Sequence, residues 1–175
     1  KRKDPEAAVR FFAEEGYPAD CVMEYLMTIA SSDYEDWRRG NPDAPRSAYP
    51  FNLKKMSPSG ALFDADKLND VSKNVIGRMD AETVTAAVLE WAAAYAPDFY
   101  ALLSRDPAYA RGIFSIDRGG PKPRKDLAKW ADAPDYAAYY FDESFSGAFE
   151  LPENIDPADA VAILQAYREV YDPSL

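Results

Sequence analysis

Apolar side chains recur along this chain at the three-to-four spacing of a helix and almost never alternate as in a strand. In EAAVRFFAEEG, Val9 and Phe12 share a face and Gly16 supplies a stop. Pro18 opens a second segment, in which Val22, Leu26 and Ile29 form an apolar stripe with Tyr25 beside it. A short helical piece is expected over residues 33–39. Gly40, Pro42, Pro45 and Pro50 then make a loop region, with Phe51 and Leu53 as its expected anchors. Asp64 heads a helix that aligns Leu68, Val71, Val75 and Ile76. Asp80 heads another, with Val84, Val88, Trp91 and Tyr95 on one face. Pro97 opens a short helix bearing Tyr100 and Leu103, and the next carries Tyr109, Ile113 and Phe114. Residues 118–130 read as a turn followed by a short helix, and residues 136–141 as helical and aromatic. Residues 145–151 show no period. A last helix carries Val161, Leu164, Tyr167 and Val170.

The start signals agree with this reading. Asp4-Pro5, Asp106-Pro107 and Asp156-Pro157 each place a side-chain acceptor ahead of a proline at the first helical position. The carboxylate takes up free backbone N–H groups there, and proline lacks an N–H that would have been unpaired anyway. No strand leads into a glycine-rich phosphate loop, and no fixed-period repeat is present. The pattern predicts an all-α chain of eight or nine short helices.

Composition narrows the chemistry. With 175 residues, 47% of them hydrophobic, the chain can bury a real core. It has no histidine and one cysteine, Cys21. That excludes serine–histidine and cysteine–histidine nucleophiles, a structural zinc site and any internal disulfide. Cys21 reads as a buried, inert thiol, which suits a reducing compartment. Asp64, Asp66, Asn69 and Asp70 lack the glycine and terminal glutamate of a calcium loop. No metal site and no catalytic residue is expected. No apolar run is long enough to span a membrane, and no signal peptide opens the chain. It begins at Lys1 in charged sequence, as an excised or processed piece would.

Net charge is −10, which argues at first against nucleic acid. The charge is unevenly spread, however. Residues 131–175 hold ten acids and one base, Arg168, whereas residues 1–130 are nearly balanced, at −1. Within the balanced part, residues 118–130 carry Arg118, Lys122, Arg124, Lys125 and Lys129 against a single acid, a local +4. Gly119 and Gly120 permit close backbone approach, and the prolines stiffen the loop. Fixed cations, exposed donors and nearby aromatic planes are what recognition of an RNA backbone needs. The other reading is a solvated loop whose charges pair with the acidic tail, and the residues alone leave both open. Tyr136, Tyr139, Tyr140, Phe141 and Phe145 likewise read either as packing or as a base-stacking platform.

Two stretches resemble aminoacyl-tRNA synthetases. KMSPSG, residues 55–60, is one residue from Lys-Met-Ser-Lys-Ser, the phosphate-binding signature of the class I enzymes. The substituted position is Pro58, which has neither charge nor N–H, so this is no phosphate loop. Ser57 or Ser59 reads as a turn or cap residue instead. The wider likeness is to bacterial glutamyl-tRNA synthetases. It rests on residues 1–9, KRKDPEAAV, then Glu15-Gly16-Tyr17-Pro18 and Glu24-Tyr25-Leu26. Further on, Gly60-Ala61-Leu62-Phe63-Asp64 with Lys67-Leu68-Asn69 resembles the family's Ala-x-Phe-Asp-x-x-Lys-Leu. Residues 106–110, 118–130 and 140–143 resemble one branch of the family closely. The family's signature loop ends in Lys-Arg, matched here by Lys1-Arg2, although Lys3-Asp4 stands where many relatives have His-Gly.

That resemblance implies a C-terminal tRNA-binding part of a glutamate–tRNA ligase, without the nucleotide-binding α/β domain. Residues 1–79 would be the stem-contact-like region and residues 80–150 an anticodon-side helical domain. Residues 151–175 would start a further, truncated domain. Lys1 and Arg2 would be the ATP-binding loop remnant. Arg118, Lys122, Arg124, Lys125 and Lys129 are the expected tRNA contacts, with Lys67, Lys73 and Asn69 behind them. The resemblance implies ATP and magnesium for the parent enzyme and no cofactor for this piece, which would not be catalytic alone. It further implies a cytoplasmic monomer that binds glutamate-specific tRNA and neither DNA nor membrane. The rival expectation is a helical protein–protein interaction module with an acidic tail.

Overall fold

The computed structural model describes residues 4–56, 62–120, 122–146 and 150–172. Among them there is no strand, and the fold is all-α as expected. Nine α-helices follow in order: α1 Val9–Glu15, α2 Ala19–Ala30, α3 Tyr34–Gly40, α4 Ala65–Ile76, α5 Ala81–Tyr95, α6 Pro97–Arg105, α7 Pro107–Ser115, α8 Ala133–Ala137 and α9 Pro157–Val170. Short 3-10 turns lie between them at Pro5–Ala7, Arg46–Ala48, Leu53–Lys55, Trp130–Asp132 and Ala138–Tyr140.

Aspartates start four of the helices by the expected means. The side chains of Asp64, Asp80, Asp106 and Asp156 accept from backbone N–H groups of α4, α5, α7 and α9 respectively. Asp4 differs. It precedes only the turn Pro5–Ala7 and makes no side-chain cap, because Ala8 is extended and α1 begins after it. Gly16 ends α1 in the left-handed conformation, φ 78°, with Tyr17 N–H donating to Phe12 O at 2.8 Å. A Cβ there would sit 2.8 Å from Trp130 Cβ and 2.9 Å from Trp91 Nε1. Glycine is therefore required twice, for its φ and because two tryptophans meet its backbone. Trp91 Nε1–H donates to Glu14 O, and Trp130 N–H donates to Gly16 O.

The chain forms two units, Lys1–Ser144 and Phe145–Leu175. In the first, α5 packs on α6 and α7 around Val84, Val88, Ala92, Leu103, Ile113 and Phe114, and Cys21, Ile76 and Trp130 join the same core. A smaller cluster of Tyr17, Tyr25 and Leu68 lies where α2 packs on α4. The second unit holds α9, whose Val161, Leu164, Tyr167 and Val170 are all more than half exposed.

Several burial expectations shift. On α2 the buried residues are Cys21, Glu24 and Tyr25, while Leu26 is largely exposed. The helix is rolled towards the partners of Glu24, described below. Phe51 and Leu53 are exposed, and the loop is anchored by Tyr49. The Tyr49 hydroxyl hydrogen-bonds Ser31 Oγ at 2.7 Å, and its ring packs edge-on against Tyr34 and Trp37. Val9 points to solvent. Residues 122–127 remain non-helical up to the turn at Trp130–Asp132. Asp132 Oδ2 accepts from the N–H groups of Ala128 and Lys129 and so delays the helix start to that point.

Candidate nucleic-acid interface

On α4, Asp70 stands three residues after Lys67, Lys73 and Asn74 stand three and four residues after Asp70, and Arg78 comes one turn later just past the helix end. This spacing puts them along one flank of the helix. Thr28 and Glu24 of α2 and Glu35, Arg38 and Arg39 of α3 face them. Lys125 enters from the basic segment, its Nζ donating to Asn74 Oδ1 at 2.6 Å. Together they line a cleft of about 470 Å³. A larger and more open hollow of about 850 Å³ adjoins it, sharing Glu24, Arg38, Val75 and Arg78 and adding Asp20, Arg46, Tyr49 and Phe51.

Six cations and three carboxylates line the smaller cleft, a formal +3. The charges are not equivalent. Arg38 is held by Glu24, with Nε and Nη2 donating to its two oxygens at 3.0 and 2.6 Å. Nη2 also donates to Tyr34 Oη at 3.1 Å, and Nη1 to the Asn41 and Ala44 carbonyls at 3.0 and 2.6 Å. Tyr34 in turn donates to Glu24 Oε2 at 2.7 Å. Burial alone would lower the Arg38 pKa, but the bonds to Glu24 and Tyr34 outweigh it and hold it above the usual value. The guanidinium lies 4.9 Å from the centre of the Trp37 ring. Its donors are thus committed inside the protein. Lys67 is paired with both oxygens of Glu35 at 2.8 Å, and Arg39 with Asp36 at 2.9 Å. Among the described residues, Lys73 and Arg78 have no carboxylate partner, and Lys125 bonds only the neutral Asn74.

The basic segment is divided. Arg118 is half-buried: Nε donates to Phe114 O at 2.8 Å and Nη1 to Ile76 O at 2.8 Å, and burial lowers its pKa. It closes the end of α4 against α7. Lys129 pairs with Glu15 and sits 5.7 Å from the centre of the Tyr17 ring. Burial opposes the Lys129 charge, but Glu15 more than compensates and raises the pKa. Asn69 Oδ1 accepts from the Tyr17 hydroxyl at 2.6 Å. Lys122 and Arg124 are exposed between these ties. Arg124 Nε lies 2.7 Å from Asp126 Oδ2, a hydrogen bond that raises its pKa. Lys1 and Arg2, and Ser57 and Ser59, lie outside the described residues.

Tertiary structure therefore brings Lys67, Lys73 and Lys125 into one cleft and ties Arg118, Lys129 and Asn69 into the packing. Reading by segment missed Arg38, Arg39, Asn74 and Arg78. The helical spacing from Lys67 would have found Asn74 and Arg78, but no local signal brings α3 to this site. Much of the aromatic run packs: Tyr136 stacks on Phe114 at 6.0 Å between ring centres, and Tyr109 lies edge-on to Phe141. Tyr139 and Phe145 are exposed. Burial pushes the Cys21 thiol up to about 12. Among the described residues, no group of three or more carboxylate or thiol side chains is placed to hold a metal ion, and no helix is long and apolar enough to cross a membrane.

No family model matches the chain, and no solved structure matches it. Curated relatives do. The chain is 46% identical over 176 residues to a glutamate–tRNA ligase of Clostridium perfringens, a match covering 98% of the chain and 32% of the relative. It is 44% identical to that of Acetivibrio thermocellus, covering 98% and 32%, and 41% identical to that of Sorangium cellulosum, covering 99% and 31%. It thus spans about a third of the length of the relatives it matches.

Proposed function

The chain belongs to the glutamate–tRNA ligase family, of whose members it spans about a third, and from that premise we propose that it is a tRNA-holding part of such an enzyme. The observation that carries the reading is the meeting of Lys73, Arg78 and Lys125, three cations without carboxylate partners among the described residues, beside one cleft. Phosphate oxygens are acceptors only, so uncommitted cations are the groups that can meet a sugar–phosphate chain. Lys122 and Arg124 extend the positive edge. Lys67 can join by exchanging Glu35 for phosphate. Arg118, Lys129 and Asn69 support the surface from behind, by holding the basic segment and α4 in place.

In the intact enzyme, glutamate would be attached to its tRNA with ATP and magnesium. Lys1 and Arg2 would stand at the ATP-binding loop and the remainder of the nucleotide site on a separate domain. The 175-residue chain would orient the tRNA, as a cytoplasmic monomer, and would not activate glutamate. Residues 1–79 would meet the stem, residues 80–150 would lie towards the anticodon, and residues 151–175 would lead into a further domain. The relatives lend no support to a protein-interaction module.

Salt dependence tests the proposal. The affinity of the chain for a glutamate tRNA transcript, measured by filter binding across a salt series, should fall steeply. In K73A/R78A/K125A the log–log slope should flatten by roughly two to three units, at roughly 0.7–0.9 for each phosphate contact. An unaltered slope, with the variant folded by circular dichroism, overturns the assignment of this cleft.

A further inference from the structure

One acid in the cleft is left over. Asp70 lines it with Lys67, Lys73 and Asn74 of the same helical flank, and among the described residues its carboxylate is paired with no cation. Its neighbours are engaged elsewhere or uncommitted. Lys67 holds Glu35, Lys125 holds the Asn74 side-chain oxygen, and the Asn74 Nδ2 donates to the Asp70 backbone carbonyl at 2.8 Å. That last bond leaves the Asp70 carboxylate free of the amide.

A bare carboxylate in a phosphate-binding cleft opposes the ligand by charge. It helps only if the ligand brings a donor to it, because an ionised carboxylate accepts hydrogen bonds and gives none. The donor that accompanies every phosphate along an RNA strand is the ribose 2′-hydroxyl. Base amino groups are the other donors of a nucleic acid, but cations aimed at the backbone seat the sugar, not the base edge, against the helix flank.

Resting on the RNA-binding reading above, we propose that Asp70 accepts a hydrogen bond from a ribose 2′-hydroxyl while the flanking Lys73 and Lys125 hold the adjacent phosphates, so that this cleft selects RNA over strands lacking the hydroxyl. Asp70 is then a specificity-determining residue, and its charge has a purpose that phosphate binding alone would not give it.

The test compares two ligands of one sequence on the full chain, an RNA hairpin and the same hairpin with 2′-fluoro sugars. The fluoro strand keeps A-form geometry and lacks the donor. The unaltered protein should bind the RNA roughly tenfold more tightly, the worth of one hydrogen bond to a charged group. In Asp70→Ala the ratio should fall to about one, chiefly because the fluoro strand binds better once the charge is gone. Asp70→Asn keeps an acceptor oxygen and should restore part of the ratio, which a purely electrostatic or structural role would not do. Alanine is well tolerated at an exposed position within α4, so loss of the fold does not cloud the reading. If Asp70→Ala tightens both ligands equally, or leaves the ratio as it was, Asp70 is only a solvated acid and the proposal is overturned, while RNA binding by the cleft stands. If the unaltered chain binds neither hairpin nor tRNA, the RNA-binding reading itself is overturned and this proposal with it.

Discussion

Around α5, α6 and α7 the buried positions are apolar apart from Thr85, among them Val84, Val88, Leu103, Ile113 and Phe114, while around α2, α3 and α4 they include Glu24, Tyr25, Ser31, Tyr34 and Ser72. The first region is held by apolar area, which is non-directional and accepts many packings. The second is held by directed bonds. Glu24 receives Arg38 and Tyr34, Tyr25 Oη accepts from Asp64 N–H at 2.8 Å, and Ser72 Oγ donates to Ala128 O. Such a network leaves the chain few alternatives, and the irregular segments tied into it, residues 41–45 and 122–128, take their courses from it. The cleft lies against the directed region. The apolar region serves as the brace on which that region is built, through the shared burial of Cys21 and Ile76.

The difference can be broken from either side. The largest effect is expected in the apolar region. Phe114→Ala removes a fully buried ring and should cost about 3–5 kcal/mol in urea unfolding. RNA affinity of the molecules that remain folded should hardly change. Glu24→Ala should come next. It strands the Arg38 charge in a site where its side chain is only 16% exposed, at a cost of about 3 kcal/mol. Replacing both partners, Glu24→Leu with Arg38→Met, should return stability to within about 1 kcal/mol of the parent, since a buried ion pair adds little over apolar packing. The loop over residues 41–45 would still have lost its tether to Arg38, and limited proteolysis should cut it faster in the double variant. If the double variant is as unstable as Glu24→Ala, the distinction between the two regions fails.

Smaller effects sharpen the assignment within the basic segment. Lys125→Ala should lower the salt slope of RNA binding by roughly 0.7–0.9, and Arg124→Ala by less than half of that, because Asp126 already occupies the Arg124 guanidinium. Equal slopes would place Arg124 on the RNA as fully as Lys125. The smallest effect concerns pH. The Cys21 thiol is raised from 9.0 to about 12 by burial. Its contribution to stability is therefore full below about pH 9 and is lost as pH rises from there towards 12, where the unfolded chain ionises and the folded one does not. Urea midpoints should fall more across that window for the parent than for Cys21→Ala.

How far the site was legible follows from the range of each signal. Asp64, Asp80 and Asp106 announced their helices because a cap is a bond made within three residues. Asp4 carried the same dipeptide and failed, since only the conformation of Ala8 decides whether a helix continues from it. Of the stripe on α2, Val22 and Ile29 pack against the cluster of Tyr17, Tyr25 and Leu68 as expected, and only Leu26 departs by being exposed. Glu24 is buried by a partner 14 residues away, and that partner rolls α2. The run of five cations in residues 118–130 looked uniform, yet Arg118 and Lys129 are bound to the protein while Lys122 stands open.

What the sequence by itself determined is the all-α class, most of the helix starts and the kinship with glutamate–tRNA ligases. Each depends on residue identity or on spacing within a few turns, and both are written along the chain. Only the tertiary structure decided which cations are spent and which are free. Lys73, Arg78 and Lys125 resemble Arg38, Lys67 and Lys129 in sequence. What separates them is whether a carboxylate from a distant segment has come within bonding distance, and that is settled by the packing of α2, α3 and α4 on one another for Arg38 and Lys67, and by the approach of the end of α1 for Lys129.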